Sequence, residues 1–215
     1  VLVGLAILLT IGMVVWSRTS TYPAKSVALS ALESSDGVTV TQDEFIVFAP
    51  AEETQTGLVF YPGGLVEPAA YAPVLHGIAE SGVLVVITPM PLNLAIFDTN
   101  AANVAMAEFP QITTWFIAGH SLGGAAAGIY AENNPDEING LALWDSYPPQ
   151  SADLSDNDLL VYSIFGTMDG FPNTANFDNN RVLLPATAQY FPIEGASHAQ
   201  FGDYGPQTGD VEPVI

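Results

Sequence analysis

The stretch Thr113-Thr114-Trp115-Phe116-Ile117-Ala118-Gly119-His120-Ser121-Leu122-Gly123-Gly124-Ala125-Ala126-Ala127-Gly128 turns from a bulky apolar run into a run of small residues, and it does so across Gly119-x-Ser121-x-Gly123. Thr113–Ala118 has the composition of a buried strand, and Leu122–Asn134, stopped by Pro135, reads as a helix. A serine on so sharp a strand-to-helix turn is held in strained backbone geometry with its hydroxyl above the sheet edge. The flanking glycines are needed because a side chain there would strike neighbouring backbone. The helix N-terminus that follows offers amide donors to an anion. No Gly-Lys-Ser/Thr follows, so the turn is not a P-loop.

The rest of the chain supplies the sheet around this turn. Val38–Thr41 and Phe45–Phe48 read as a hairpin, Gly57–Tyr61 as a short apolar strand, and Ala69–Ser81 as a helix ending at Gly82. Val83–Thr88 is strand-like, Asn93–Glu108 contains a helix, and Leu141–Trp144, Leu159–Phe165 and Ala188–Ile193 are further strands. Continuous apolar strands separated by helix-length segments predict an α/β fold: three layers with a mostly parallel central sheet, in one domain over residues 37–215.

A serine nucleophile needs a base, and the chain has 3 histidines. His76 falls mid-helix, and His120 adjoins the serine and points away from it, so it is expected to support the elbow with Gly119 and Gly123. His198, in the loop after the last strand, is the predicted base, because the carboxyl ends of parallel strands are where such sheets place their sites. For the carboxylate that orients it, Asp169 in Gly166-Thr167-Met168-Asp169-Gly170 is the first choice and Asp145, after Trp144, the runner-up. The order Ser121, Asp169, His198 matches the order expected of this elbow. An oxyanion formed at Ser121 would be held by the amide of Leu122 and by Gly64 or Leu65 in Tyr61-Pro62-Gly63-Gly64-Leu65-Val66.

These motifs resemble those of α/β-hydrolases, in the small lidless branch similar to dienelactone hydrolases and microbial carboxylesterases. Tyr61–Val66, Gly119–Gly124, Gly166–Gly170 and Glu194–Phe201 carry the likeness, and the segment from Phe60 to Asp98 resembles a membrane-anchored bacterial subgroup. Tyr61-Pro62 stands where many relatives have His-Gly, and the cysteine nucleophile of dienelactone hydrolases is absent. The resemblance implies a serine hydrolase of small neutral carboxylic esters or lactones, working through an acyl-enzyme without cofactor or metal. The contrasting expectation is a catalytically silent binding or scaffold protein of the same fold. About fourteen residues lie between the strands ending at Trp144 and starting at Leu159, too few for a lid. Tyr147, Phe171 and Phe177 are candidate pocket residues, and Arg181 is expected at the surface, balancing Asp178.

Composition limits the partners. With 23 acidic and 3 basic residues the formal charge is −20, which excludes a phosphate-binding face for nucleic acid and disfavours anionic substrates. Val1–Trp16 carries no charge and is closed by Arg18, so residues 1–16 read as a membrane anchor or signal segment, incomplete at a start that is Val rather than Met. The nearest small-x-small site, Ala28-Leu29-Ser30, lies twelve residues past Trp16, which favours a retained anchor over a cleaved signal. Residues 17–36 are expected to be a tether with a short helix near Ser26–Glu33. The expected localisation is the membrane with the catalytic domain outside the cytoplasm, although Arg18 and Lys25 lie on the flank that positive charge normally keeps inside. The helix that usually closes the family after the catalytic histidine is expected to be missing, because 17 residues follow His198.

Overall fold

Eight strands form one sheet in the order β1-β2-β4-β3-β5-β6-β7-β8 in the computed structural model, which describes residues 2–171 and 179–214. β1 (Val38–Gln42) and β2 (Ile46–Pro50) are the predicted hairpin, and β2 runs antiparallel to β4 (Leu84–Ile87). From β4 onward every pairing is parallel: β3 (Thr56–Tyr61), β5 (Thr114–His120), β6 (Gly140–Trp144), β7 (Leu160–Gly166) and β8 (Gln189–Ile193). β3 and β5 are central and carry the loops on which the candidate site stands. Their apolar residues are continuous because helices cover both faces.

Alternation along β3 divides the core into two layers. Val59 and Tyr61 point to the side of α4 (Ala101–Ala107) and α5 (Leu122–Asn133), joining Val86, Ile117, Ala126, Tyr130 and Leu143. Leu58 and Phe60 point to the side of α3 (Ala72–Glu80), joining Phe48, Leu75, Val85, Ile87, Ala118 and Trp144. Strand and helix bounds fall within a few residues of those read from sequence. The largest difference is in Asn93–Glu108, where only Ala101–Ala107 is α-helical and short 3₁₀ turns precede it. Between β6 and β7 no lid is present, as expected.

α1 (Leu2–Ser20) projects from the body with Val3, Leu8, Leu9, Ile11, Val15 and Trp16 exposed. Its window Val3–Ser20 is long and apolar enough to cross a membrane, 18 residues with mean hydropathy 1.5. The stretch after it departs from a free tether. α2 (Ser26–Ser30) forms within the expected region, with Ala28 fully buried. The Tyr22 amide donates to Leu65 O at 2.7 Å, and Lys25 N donates to Asp203 O at 2.8 Å. His76 has a structural part here: its Nδ1 bonds Ala31 O at 2.9 Å and its Nε2 pairs with Ser35 Oγ at 3.2 Å.

Close approach of α5 to the sheet needs glycine. A Cβ on Gly123 would lie 2.1 Å from Tyr61 O and 2.3 Å from Pro62 O, and one on Gly119 would lie 2.4 Å from the Gly123 carbonyl carbon. Gly77, inside α3, has nothing within 4 Å. Gly123→Ala is therefore expected to destabilise the fold by about 3 kcal/mol, since rigid backbone cannot yield to the methyl group. Gly77→Ala is expected to stabilise it by about 0.5–1 kcal/mol by removing the entropic cost of a helical glycine. Urea unfolding midpoints of the two variants should shift in opposite directions.

Candidate active site

Ser121 occupies the turn between β5 and α5 with φ 53° and ψ −122°, a backbone state that L-residues adopt only under constraint. Three contacts impose it. The Ser121 amide donates to Trp144 O at 3.0 Å, Ser146 Oγ donates to Ser121 O at 2.7 Å, and Gly119, Gly123 and Gly124 leave the turn no free volume. Gly119 and Gly123 are close-packed against neighbouring backbone.

His198 opens a short 3₁₀ turn, His198–Phe201, after β8, and it is 3% exposed. Its ring lies against that of His120, centroids 4.6 Å apart, and against the edge of Phe171 at 4.7 Å. The structure thus brings His198 beside the elbow while His76 remains on α3. The base loop is clamped by a residue without a sequence signal, Asp210. Its Oδ2 accepts from Ala199 N at 2.8 Å, and its Oδ1 accepts from Val211 N at 2.9 Å, Gly170 N at 3.1 Å and His198 N at 3.3 Å. Burial would raise the Asp210 pKa, but these amides outweigh it and hold the carboxyl below its usual range. A Cβ on Gly170 would meet Val211 N at 2.3 Å, so that glycine is what lets the C-terminal segment reach the loop.

The orienting carboxylate departs from the sequence-based order of preference. Asp145 Oδ2 accepts from His198 Nδ1 at 2.7 Å, whereas Asp169 Oδ1 stands 3.8 Å from the same nitrogen, inside ion-pair range but outside hydrogen-bond range. The side chains of both members of the close pair are 4% exposed. The reason is positional. Trp144 is bonded to Ser121, so Asp145 leaves β6 directly beside the elbow, and its own φ of 43° turns it back toward the imidazole. Its Oδ1 is fixed by the Gly166 amide at 3.1 Å. Asp169 lies three residues beyond the end of β7 and accepts instead from Phe171 N at 2.8 Å. Burial, with the Asp145 charge adding to it, raises the Asp169 pKa to about 6.

Asp145, Asp169 and His198 also bring ligand atoms within 4.8 Å of one another, a spacing that a metal ion could use. Hydrogen bonds within the protein already engage these groups: Asp145 uses both oxygens, on Gly166 N and on the imidazole, and Asp169 Oδ1 accepts from Phe171 N.

On the loop after β3, the two oxyanion candidates separate. Leu65, at φ 55°, donates its amide to Asn93 O at 2.7 Å and is engaged there. Gly64 lies against Leu122, where an added Cβ would be 3.0 Å from Leu122 Cδ2. Gly64 and Leu122, the first residue of α5, are thus adjacent beside Ser121. A buried chain supports this loop. Gly63 N donates to Tyr71 Oη at 2.9 Å, which leaves the Tyr71 hydroxyl proton to be donated to His120 Nδ1 at 2.8 Å. His120 therefore carries its proton on Nε2, which has no hydrogen-bond partner among the described residues and lies near the backbone of His198. Complete burial, with His198 nearby, holds the His120 pKa well below its ordinary value, so the ring is neutral and supports the loop rather than taking a proton. The sequence reading expected His120 to support the elbow and offered no sign of Tyr71, because the pairing joins residues 49 apart.

Of the expected pocket residues, Phe171 packs on His198 and Phe177 lies outside the described residues, as does Asp178, the expected partner of Arg181. Arg181 stacks its guanidinium over Tyr190, 4.4 Å from the ring centroid.

Residues 57–215 match the family model described as "Alpha/beta hydrolase family". The chain belongs to the alpha/beta hydrolase family. No curated protein sequence matches it significantly. Solved structures that share the family's fold include the alpha/beta hydrolase enzyme MGS-MChE2 from a sediment metagenome of the Mar Chica lagoon, Morocco, at 18% identity and TM-score 0.59, covering 79% of this chain and 92% of that one. A "predicted CIB-like hydrolase" from Thermoplasma acidophilum aligns at 14% identity and TM-score 0.61, over 78% and 92% of the two chains. TT1662 from Thermus thermophilus aligns at 17% identity and TM-score 0.58, over 75% and 90%. Likeness at this level of identity concerns the fold.

The raised pKa of Asp169 makes stability depend on pH with a definite sign. Below about pH 4 the carboxyl is protonated in both folded and unfolded chains and its contribution is present in full; as pH rises through about 6 the folded state must ionise it beside Asp145 and that contribution is lost. Asp169→Asn removes the charge. The melting temperature of the variant relative to the natural protein should therefore be higher at pH 7.5 than at pH 4.5, with most of the change between pH 4 and 6.

Proposed function

We propose that the protein is a serine hydrolase of neutral carboxylic esters, working through an acyl-enzyme. The observation that carries this reading is the strained backbone of Ser121 on a glycine-packed turn, with a buried imidazole–carboxylate pair against the same turn. In this mechanism Ser121 Oγ attacks the ester carbonyl while His198 Nε2 takes its proton. Asp145 keeps the imidazole proton on Nδ1 and stabilises the imidazolium that forms. The amides of Leu122 and Gly64 receive the oxyanion. The imidazolium then protonates the leaving alcohol, and a water activated by the same nitrogen releases the acid. The residues present need no cofactor. Asp169 is the second carboxylate of the site and acts on the Asp145–His198 pair through its charge.

The acidic body favours neutral substrates, because an incoming anion meets repulsion from a chain of formal charge −20. The lidless gap between β6 and β7 supports an open cleft. We further infer that α1 is a retained membrane anchor.

Two experiments test the chemistry. A fluorophosphonate probe should label the protein, and Ser121→Ala should abolish labelling; equal labelling of the variant would remove Ser121 from the mechanism. In steady-state hydrolysis of p-nitrophenyl acetate, Asp145→Asn is expected to lower kcat by about 10³–10⁴-fold, the effect of losing the correct imidazole tautomer, whereas Asp169→Asn should cost less than about tenfold. The reverse ranking would return the orienting role to Asp169.

A further inference from the structure

The last turn of α1 and the segment after it are built into the edge of the candidate site. Ser17 is 3% exposed and its Oγ donates to Leu92 O at 2.7 Å. Thr21 Oγ1 accepts from Asn93 Nδ2 at 2.9 Å, and Asn93 O in turn accepts the Leu65 amide at 2.7 Å. Tyr22 completes the attachment: its N donates to Leu65 O at 2.7 Å, its O accepts from Glu67 N at 3.0 Å, and its ring lies 5.8 Å from that of Tyr204, beyond the base loop. The left-handed residue Leu65, next to the candidate oxyanion donor Gly64, is thus held on both its amide and its carbonyl by residues 21–22 and by the Asn93 they support.

These contacts also fix where the apolar helix ends. The path from Ser17 runs to Leu92, then through Leu94, which lies beside Gly64, to Leu122 and Ser121. The last turn of α1 therefore lies a few side chains from Ser121, and the apolar run before it, through Trp16, is exposed. Three and four residues past Asn93 on the same loop, Ile96 and Phe97 are 47% and 56% exposed, large apolar side chains of the kind a lipid surface would cover. Removal of the helix by cleavage after Ser30 would strip Leu65 and Glu67 of these partners, whereas retention keeps them.

We propose that residues 17–25 form a strap that braces the oxyanion loop and holds the mouth of the site against the bilayer, so that the substrate is a neutral ester dissolved in the membrane, of the chemistry of a monoacylglycerol. The proposal rests on the serine hydrolase reading above and on retention of α1. An ester bond at the headgroup level is presented to such a mouth without leaving the lipid, and no lid is required. The acidic body selects an uncharged headgroup over an anionic one.

The full chain is reconstituted in phosphatidylcholine vesicles and assayed with monooleoylglycerol in the bilayer and with water-soluble p-nitrophenyl acetate. Natural protein is expected to hydrolyse both, and the double variant Ile96→Asp, Phe97→Asp to lower the ratio of monooleoylglycerol to acetate turnover at least tenfold. Fluorophosphonate labelling of Ser121 on the same sample reports a folded site, and if the double variant does not fold, Phe97→Ser carries the test with an expected threefold fall in the ratio. An unchanged ratio overturns the proposal. So does hydrolysis of the acetate without the glycerol ester, or a mature chain that begins after Ser30; in these cases the serine hydrolase reading survives. Absence of both activities and of labelling would instead remove that reading, and the proposal with it.

Discussion

The structure depends on the absence of side chains at Gly119 and Gly123. With no Cβ at either, α5 descends onto the ends of β3 and β5 until Gly123 nearly touches the Tyr61 and Pro62 carbonyls. That approach bends the chain at Ser121 into a conformation it would otherwise avoid and brings the Leu122 amide beside the loop carrying Gly64. A strained serine persists because the surrounding backbone over-determines it through Trp144 O, Ser146 Oγ and the packed glycines. The cost is a few kcal/mol of local strain, small beside the burial that two layers of core supply.

Around this turn the site is a set of loops held by buried hydrogen bonds. Asp145 fixes the imidazole, Asp210 fixes the backbone of the base loop, and the Tyr71–His120 pair fixes the loop after β3. The bonds Asp145–His198, Tyr71–His120 and Asp210–Gly170 join residues 53, 49 and 40 apart, and together they tie the ends of β3, β5, β6 and β8 into one rim. Pre-organised donors and a pre-oriented base are what lower a barrier for acyl transfer, because no reorganisation is then required as charge develops. The neutrality of His120 suits the proposed mechanism, since a charged ring 4.6 Å from that of His198 would oppose formation of an imidazolium there.

Much was legible in the sequence. The elbow motif, the strand series with its antiparallel start, His198 as the one histidine in a strand-end loop, and the uncharged N-terminal run all follow from local pattern. The choice between Asp169 and Asp145 did not, because both follow strands and both precede turns; only the lateral order of the strands, with β6 next to β5, sets which carboxylate meets the ring. Likewise the choice between Gly64 and Leu65 turned on the engagement of the Leu65 amide by Asn93, and the apparent tether proved to be bonded to Leu65, Glu67 and Asp203.

By itself, then, the amino-acid sequence determined the fold class, the strained serine, the acidic field and the apolar helix, since these depend on periodicity, glycine placement and charge, which are properties of neighbours along the chain. Tertiary structure alone decided which aspartate bonds His198, that the Leu65 amide is engaged by Asn93 while Gly64 lies against Leu122, that Tyr71 and Asp210 support the rim, and that the segment after α1 belongs to it. Those are distances between residues tens of positions apart, and a hydrogen bond that works at 2.7 Å and fails at 3.8 Å is set by the packing of whole strands.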